Sequence, residues 1–190
     1  SQAVGTLPEP RADHVAAVVG GTVYALGGSQ ETANLYRDVV ASTDGASWRP
    51  AGSVAQPVRY PGVAVVGGAI YLFGGVSTAQ GTDTNVIQRY DPASQTTQIV
   101  GQLPGPLSHT TAVVLDGSVY LFGGFLNNVV SATVLRVDLP AGTSAAAGQL
   151  PVPVSDAAAV TVGNTGYLVG GQGTTSAPVD TIFTLTTTRH

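Results

Sequence analysis

The sequence predicts an all-β fold, an array of four equal units, each a small antiparallel sheet of four strands. Three observations predict it. The segment Tyr-x-x-Gly-Gly recurs with its tyrosine at Tyr24, Tyr71, Tyr120 and Tyr167, at spacings of 47, 49 and 47 residues, a period that marks an array of supersecondary units. Gly5, Gly52, Gly101 and Gly148 precede successive units in the same register. Between these marks, β-branched and aromatic residues alternate with period two and are bounded by turn signals, the pattern of short antiparallel strands.

The elements follow in order. In the first unit, strands are expected at His14 to Val19, Thr22 to Leu26, Leu35 to Ser42 and Ser47 to Gly52. Gly20-Gly21 joins the first two, and Gly67-Gly68, Asp116-Gly117 and Gly163-Asn164 stand at the same place in the other units. These residue types accept the positive φ of a two-residue hairpin. The third and fourth strands turn at Asp44-Gly45 in the first unit and at Asp91-Pro92 in the second. Leu7-Pro8, Leu103-Pro104 and Leu150-Pro151 lead into the next unit, with Val54-Ala55 there in the second repeat. The repeats run approximately 6–52, 53–101, 102–148 and 149–190 plus 1–5, as one domain over 1–190. The repeated tyrosines, with Phe73 and Phe122, are expected to pack between neighbouring units.

A four-stranded unit of this length whose second strand ends in Gly-Gly resembles the kelch repeat, and the resemblance covers essentially the whole chain. It rests on Gly27-Gly28, Gly74-Gly75, Gly123-Gly124 and Gly170-Gly171 with the tyrosine before each. Tyr90-Asp91 closing a third strand, Trp48 in a fourth, and Arg11 with His14 before the first strand add to it. Trp48 is the single tryptophan, and the Arg-x-x-His element occurs once. The resemblance implies a kelch-type β-propeller of four blades of four antiparallel strands. Gln2 to Gly5 aligns with the outer strands near Trp48, Ile99 and Ala146, and the chain ends after a third strand, Thr181 to Thr187. The N-terminal strand is therefore expected to complete the last blade and cover its edge. Three arrangements fit this phase: a closed four-bladed ring, part of a longer propeller, or two chains completing one larger ring.

Composition removes several classes of function. The chain of 190 residues is 43% hydrophobic and 9% charged, and its net charge of −4 comes with no lysine. Its arginines are scattered singly, so it has neither the clustered cations of a nucleic-acid footprint nor those of an anionic-membrane patch. No apolar run approaches the roughly 18 residues that span a bilayer, so no membrane insertion is expected from this segment. The absence of cysteine excludes disulfides, thiolate metal sites and cysteine chemistry. With no methionine, Ser1 at the head and loops rich in threonine and glycine, the chain reads as a mature secreted protein or surface ectodomain, extracellular or at the cell surface.

Strand alternation places the loops between second and third strands on one face with the crossings between units, and the tight hairpins on the other. The first set is variable: Ser29 to Asn34, Val76 to Thr84, Phe125 to Ser131 and Gln172 to Val179. Variable loops on a rigid scaffold are where binding resides. Just before each inner strand the repeats align Asp13, Tyr60, His109 and Asp156, preceded by Ala12, Arg59, Ser108 and Ser155. Asp13, Arg59, Tyr60, Ser108, His109 and Asp156 form the candidate ligand-binding set at the channel mouth. Two carboxylates, an imidazole, a phenol and a guanidinium suit a small polar ligand such as a sugar, with Tyr60 for stacking. The same residues also read as caps of strand ends. Asp13, Asp156 and His109 fit the donor preferences of an axial cation, but without a local metal spacing. No metal or cofactor is expected. Arg11 and His14 read as structural, and Asp83 and Asp91 as loop and turn residues.

Some members of the family that the chain resembles are enzymes. The copper-radical oxidases need a tyrosine joined to a cysteine, which this chain cannot form. Sialic-acid mutarotases share the fold, and here only Asp13, Arg59, His109 and Asp156 could serve such chemistry; no Ser-His-Asp or paired-carboxylate spacing identifies an acid or base. The expected function is a non-catalytic binding module whose loop face takes a protein or a glycan. The alternatives are a structural subunit of an extracellular assembly or homo-oligomer, with Phe125, Leu126, Val129 and Val130 as its apolar contact, and a small sugar-modifying enzyme.

Overall fold

The structure, a computed structural model, describes residues 2–30 and 34–187. Ser1 and the centre of the first variable loop lie outside the described residues. All regular structure among the described residues is strand, arranged as four main antiparallel sheets that follow the repeats. Unit 1 comprises Val15–Val19, Thr22–Leu26, Asp38–Ser42 and Arg49–Ser53. Unit 2 comprises Gly62–Val66, Ala69–Phe73, Val86–Asp91 and Thr96–Gln102. Unit 3 comprises Thr111–Leu115, Ser118–Phe122, Thr133–Asp138 and Thr143–Gln149. Unit 4 has three strands, Ala158–Val162, Thr165–Val169 and Ile182–Thr186.

The turns explain the strand ends. Gly20 and Gly21 have φ of 57° and 77°, the two left-handed residues of a tight hairpin. In unit 4 Val162 faces Thr165 across Gly163-Asn164, where only Gly163 has positive φ, the pattern of the mirror-type II turn. The expected third strand from Leu35 starts later, at Asp38. Asn34–Leu35 instead pairs with Ser29–Gln30 as a short ribbon, and the Tyr36 amide donates to the Gly28 carbonyl at 2.9 Å. Those bonds hold the chain away from the main ladder until Asp38.

Alternation buries one side chain in two on each face, and the core forms three clusters, one between each pair of neighbouring units. Leu26, Val39, Tyr24 and Ala41 of unit 1 meet Ile70, Leu72 and Tyr90 of unit 2. Tyr71, Phe73 and Ile87 of unit 2 meet Val119, Leu121 and Val137 of unit 3. Val113, Leu115, Phe122 and Val134 of unit 3 meet Leu168, with Phe183 and Leu185 of unit 4 packed alongside. Each fully buried aliphatic or aromatic side chain contributes about 1.5–3 kcal/mol, so adjacency of units is the main source of stability. Two polar links reinforce the first interface. The Tyr90 hydroxyl donates to the Ala51 carbonyl, and the Gln88 amide holds both backbone groups of Gln56, accepting from its N–H at 2.8 Å and donating to its carbonyl at 3.0 Å.

The four units form an open arc. Inner strands of units 1 and 2, 2 and 3, and 3 and 4 are in contact, and no comparable interface joins units 4 and 1 among the described residues. The expected closure by the N-terminal strand is therefore corrected. Residues 2–7 lie in no strand, and among the described residues the fourth sheet ends at Ile182–Thr186 without an outer strand. Gly5 backs instead on the carbonyl of Ala46, in the third-to-fourth turn of unit 1. A Cβ at Gly5 would stand 2.3 Å from that oxygen. Gly52 and Gly101 meet Gln95 and Gly142 of the following units in the same way, each with a carbonyl 2.4 Å from where a Cβ would be. The glycine column thus records an outer strand resting on the next unit. Residues 2–7 keep that position relative to unit 1 without belonging to unit 4.

Candidate mouth of the propeller channel

Asp13, Tyr60, His109 and Asp156 are brought together by the backbone. The Tyr60 amide donates to the Asp13 carbonyl at 3.0 Å, His109 to Tyr60 at 2.9 Å, and Asp156 to His109 at 3.1 Å. One residue from each unit is thereby linked to the next around the inner side of the arc. All four carry positive φ, between 53° and 60°. Aspartate tolerates that region, whereas a bulky side chain there costs roughly 1–2 kcal/mol relative to glycine.

Their side chains are disposed unequally. The rings of Tyr60 and His109 stack with centroids 4.0 Å apart and 20° between planes, and Phe125 meets the His109 ring edge-on at 5.1 Å. The Arg59 guanidinium lies 5.5 Å from the Tyr60 centroid and 3.7 Å from the Asp13 carboxylate. Its Nε is buried and has no hydrogen-bond partner among the described residues. Ser108 is buried, with its hydroxyl 2.9 Å from His109 Nδ1. These groups surround an open cleft of about 430 Å³ lined by Arg59, Tyr60, Asp83, Ser108, His109 and Phe125 among others. Asp13 is outside the lining and reaches it through Arg59 and Tyr60, and Asp156 is exposed and outside the lining.

Burial sets the protonation states. Desolvation lowers the His109 pKa below its ordinary value, against the raising influence of Asp156 and Asp83, so the ring is neutral near pH 7. Burial raises Asp83, with the Ser108 hydroxyl and His109 acting the other way. Tyr60 is raised by burial first and then by its hydrogen bond with Asp13. The cleft therefore combines one cation, carboxylates, a neutral imidazole and aromatic surface. Asp83, Ser108 and His109 do not make a nucleophilic triad. There the imidazole must stand between hydroxyl and carboxylate, whereas here the buried hydroxyl stands between the other two. No group of three His, Asp or Glu side chains able to hold a metal occurs among the described residues.

Asp83 and Phe125 differ from their expected roles. Asp83 read as a loop residue and Phe125 as part of an apolar contact patch, yet both line the cleft. Of that patch, Leu126 packs into the core between units 2 and 3, and only Val129 is a large exposed side chain. Asp83 lies in a loop of irregular length, so no aligned column marks it, whereas Phe125 directly follows its glycine pair, at the place of Ser29, Val76 and Gln172 in the other units. In the structure the residues of that place pair back onto those before the mouth column, Val76 with Arg59 and Phe125 with Ser108.

The family model described as Kelch motif matches residues 57–96, the inner three strands of unit 2 and the crossing before them. Unit 2 thus carries a kelch motif. Among solved structures, YjhT superposes with a TM-score of 0.81 at 18% identity, covering 97% of this chain and 65% of its own. That likeness shows the fold alone, and the chain spans 65% of the length of YjhT. No curated protein matches the sequence. The remaining kelch marks are structural in this chain. The buried Arg11 guanidinium donates to the Gly27 carbonyl at 3.2 Å and pairs with Asp38 at 2.5 Å, lying over the Tyr36 ring. His14 packs against Gly28, where a Cβ would come within 2.7 Å of its own.

Proposed function

We propose that this kelch array is a non-catalytic binding module, acting outside the cell or at its surface, that takes a carbohydrate in the cleft between units 2 and 3. One observation carries the reading. Tyr60 and His109 occupy left-handed positions where glycine would make the same backbone bonds without strain. Their side chains are retained there, stacked on each other, on the rim of a cleft that also presents Arg59 and Asp83. Aromatic surface flanked by a few charged hydrogen-bonding groups is what a sugar ring requires, apolar C–H faces against rings and hydroxyls against donors and acceptors. Placement outside the cell rests on the threonine- and glycine-rich loops. A second reading, packing into a larger assembly, is favoured by the exposed apolar residues of unit 4.

The test is an immobilised panel of neutral and acidic saccharides, probed with the protein and with Tyr60→Gly and His109→Gly. The expected result is retention on at least one saccharide class. Each glycine variant should bind at least about tenfold more weakly, while its Tm stays within roughly 3 °C because relief of strain offsets the lost stacking. A protein that retains no saccharide, with glycine variants that lose stability sharply, would return Tyr60 and His109 to the role of strand-end supports.

A further inference from the structure

The hydroxyl of Ser108 has one proton and two acceptors before it. Ser108 is only 1% exposed, in the short strand Leu107–Ser108 that pairs with Phe125–Leu126. On one side His109 Nδ1 lies 2.9 Å from its Oγ. On the other, the Asp83 carboxylate accepts a hydrogen bond from the same hydroxyl. Main-chain bonds hold Asp83 in that place. It bridges to Val76, which bridges to Arg59, and the Leu107 amide donates to the Thr84 carbonyl at 3.1 Å, one residue from Ser108 and one from Asp83. All three side chains belong to residues that line the cleft.

One proton cannot serve both acceptors. A hydrogen bond to an ionised carboxylate is roughly twice as strong as one between neutral groups, and Ser108 and His109 both favour the ionised form of Asp83. The hydroxyl proton therefore points to Asp83. Oγ then offers a lone pair to Nδ1, and the imidazole completes that hydrogen bond only by carrying its own proton on Nδ1. Since the ring is neutral near pH 7, Nε2 is left bare. Nε2 has no hydrogen-bond partner among the described residues and is not sealed from solvent, so its lone pair is open to an incoming group. Stacking on Tyr60 and the edge contact with Phe125 fix the plane of the ring. What His109 offers the cleft is thus decided by its tautomer.

We propose that Ser108 is a positioning residue which, with Asp83, holds His109 as the Nδ1–H tautomer and presents Nε2 to the cleft as a hydrogen-bond acceptor for a donor group of the ligand. A histidine side chain in water prefers its proton on Nε2, so this tautomer is imposed by the site. The cleft then selects by polarity. Arg59 supplies donors and Nε2 an acceptor, so a saccharide is held where one of its hydroxyls donates to Nε2. An ether or carbonyl oxygen at the same place would meet a lone pair and leave both groups unpaired. The part played in binding rests on the carbohydrate reading of the cleft, whereas the tautomer is a property of the free protein.

The test is the long-range proton–nitrogen correlation spectrum of the imidazole rings at neutral pH. The chain has three histidines, and the signals of His109 are those lost in His109→Gln. The wild type should show His109 with a protonated Nδ1 and a bare Nε2. In Asp83→Ala the hydroxyl is free to donate to Nδ1, and in Ser108→Ala it is gone, so both should move the proton to Nε2. A wild-type His109 protonated on Nε2 would overturn the proposal, as would a folded Asp83→Ala with the tautomer unchanged. If neither variant folds, the wild-type tautomer decides. The second readout uses the saccharide that the wild type retains and its monodeoxy derivatives. One derivative should bind the wild type about tenfold more weakly than the parent sugar, and Asp83→Ala no more weakly than the parent. Equal losses in the two proteins would overturn the acceptor role of Nε2. A wild type that retains no saccharide would sink the carbohydrate reading, and the tautomer would still decide the role of Ser108.

Discussion

The two ends of the arc are finished in opposite ways. At the start of unit 1 the position filled by Val58, Leu107 and Val154 in the other units belongs to Arg11, and the position of Leu72, Leu121 and Leu168 to Ala25. Arg11 is buried, paired with Asp38 and covered by Tyr36, and Ala25 and Val40 are buried as well. At the far end, unit 4 keeps the aliphatic residues of an interior interface and leaves them in water. The difference teaches that burial in this fold is conferred by the neighbouring unit. A repeat specifies which residues will face its neighbour, and an end is stable alone only where the repeat pattern has been rewritten, as it has at Arg11.

The sharpest way to break that comparison is to make one substitution at both kinds of place. Ile87→Ala should cost about 3–4 kcal/mol through lost burial and a residual cavity, whereas Ile182→Ala, at the equivalent but exposed site, should cost less than about 0.5 kcal/mol. Urea unfolding of the two variants decides, and equal losses would mean that unit 4 is already covered. The glycines give a second contrast. Gly74→Ala and Gly170→Ala both enforce a left-handed alanine, with φ of 63° and 65° in the wild type. At Gly74 the new Cβ would lie 2.0 Å from the Leu107 carbonyl of the next unit, and at Gly170 the nearest atom is 3.3 Å away. We expect at least about 3 kcal/mol for the first, and about 1 kcal/mol, the dihedral penalty alone, for the second.

These contrasts also show what was legible in the sequence. The strands and hairpins could be read because the tyrosine, glycine-pair and outer-glycine columns each mark a physical necessity: inter-unit packing, a close backbone approach and a turn. The column Asp13, Tyr60, His109 and Asp156 could be read because it keeps a constant distance from those marks, and the structure brings its members into one hydrogen-bonded series. Asp83 could not, since it reaches the cleft from a loop whose length follows no repeat, and Phe125 stands at a fixed place after a glycine pair but in a column, Ser29, Val76, Phe125 and Gln172, that shares no chemistry. Closure could not be read either. The phase of Gln2 to Gly5 says that it has the sequence of an outer strand, but which sheet it would complete depends on the angle between units, and side-chain packing at each interface sets that angle.

Smaller effects sharpen the account of the sealed end. Arg11→Ala removes a buried cation and the donor to Gly27, but Asp38 is partly exposed and can rehydrate, so a loss of about 1–3 kcal/mol in urea unfolding is expected. Smallest is a dependence on pH. Burial lowers the pKa of His14, helped by Arg11 and opposed by Asp13, and burial likewise lowers His109. The unfolded chain then binds protons first as pH falls below 6.5, so stability is full above that value and declines until the depressed native pKa values are passed. Urea midpoints at pH 7.5 and 5.5 should fall toward acid, and His14→Gln with His109→Gln should flatten the slope, each by less than about 1 kcal/mol.

The amides running from Asp156 to His109 to Tyr60 to Asp13 spend only main-chain atoms. The geometry that sets one unit beside the next is therefore indifferent to the letters written at these four places, provided each tolerates a left-handed backbone. A lineage could rewrite the chemistry of the mouth one unit at a time without disturbing the scaffold, and a combinatorial library at 13, 60, 109 and 156 should yield folded proteins of altered selectivity far more often than one of equal size in the strands.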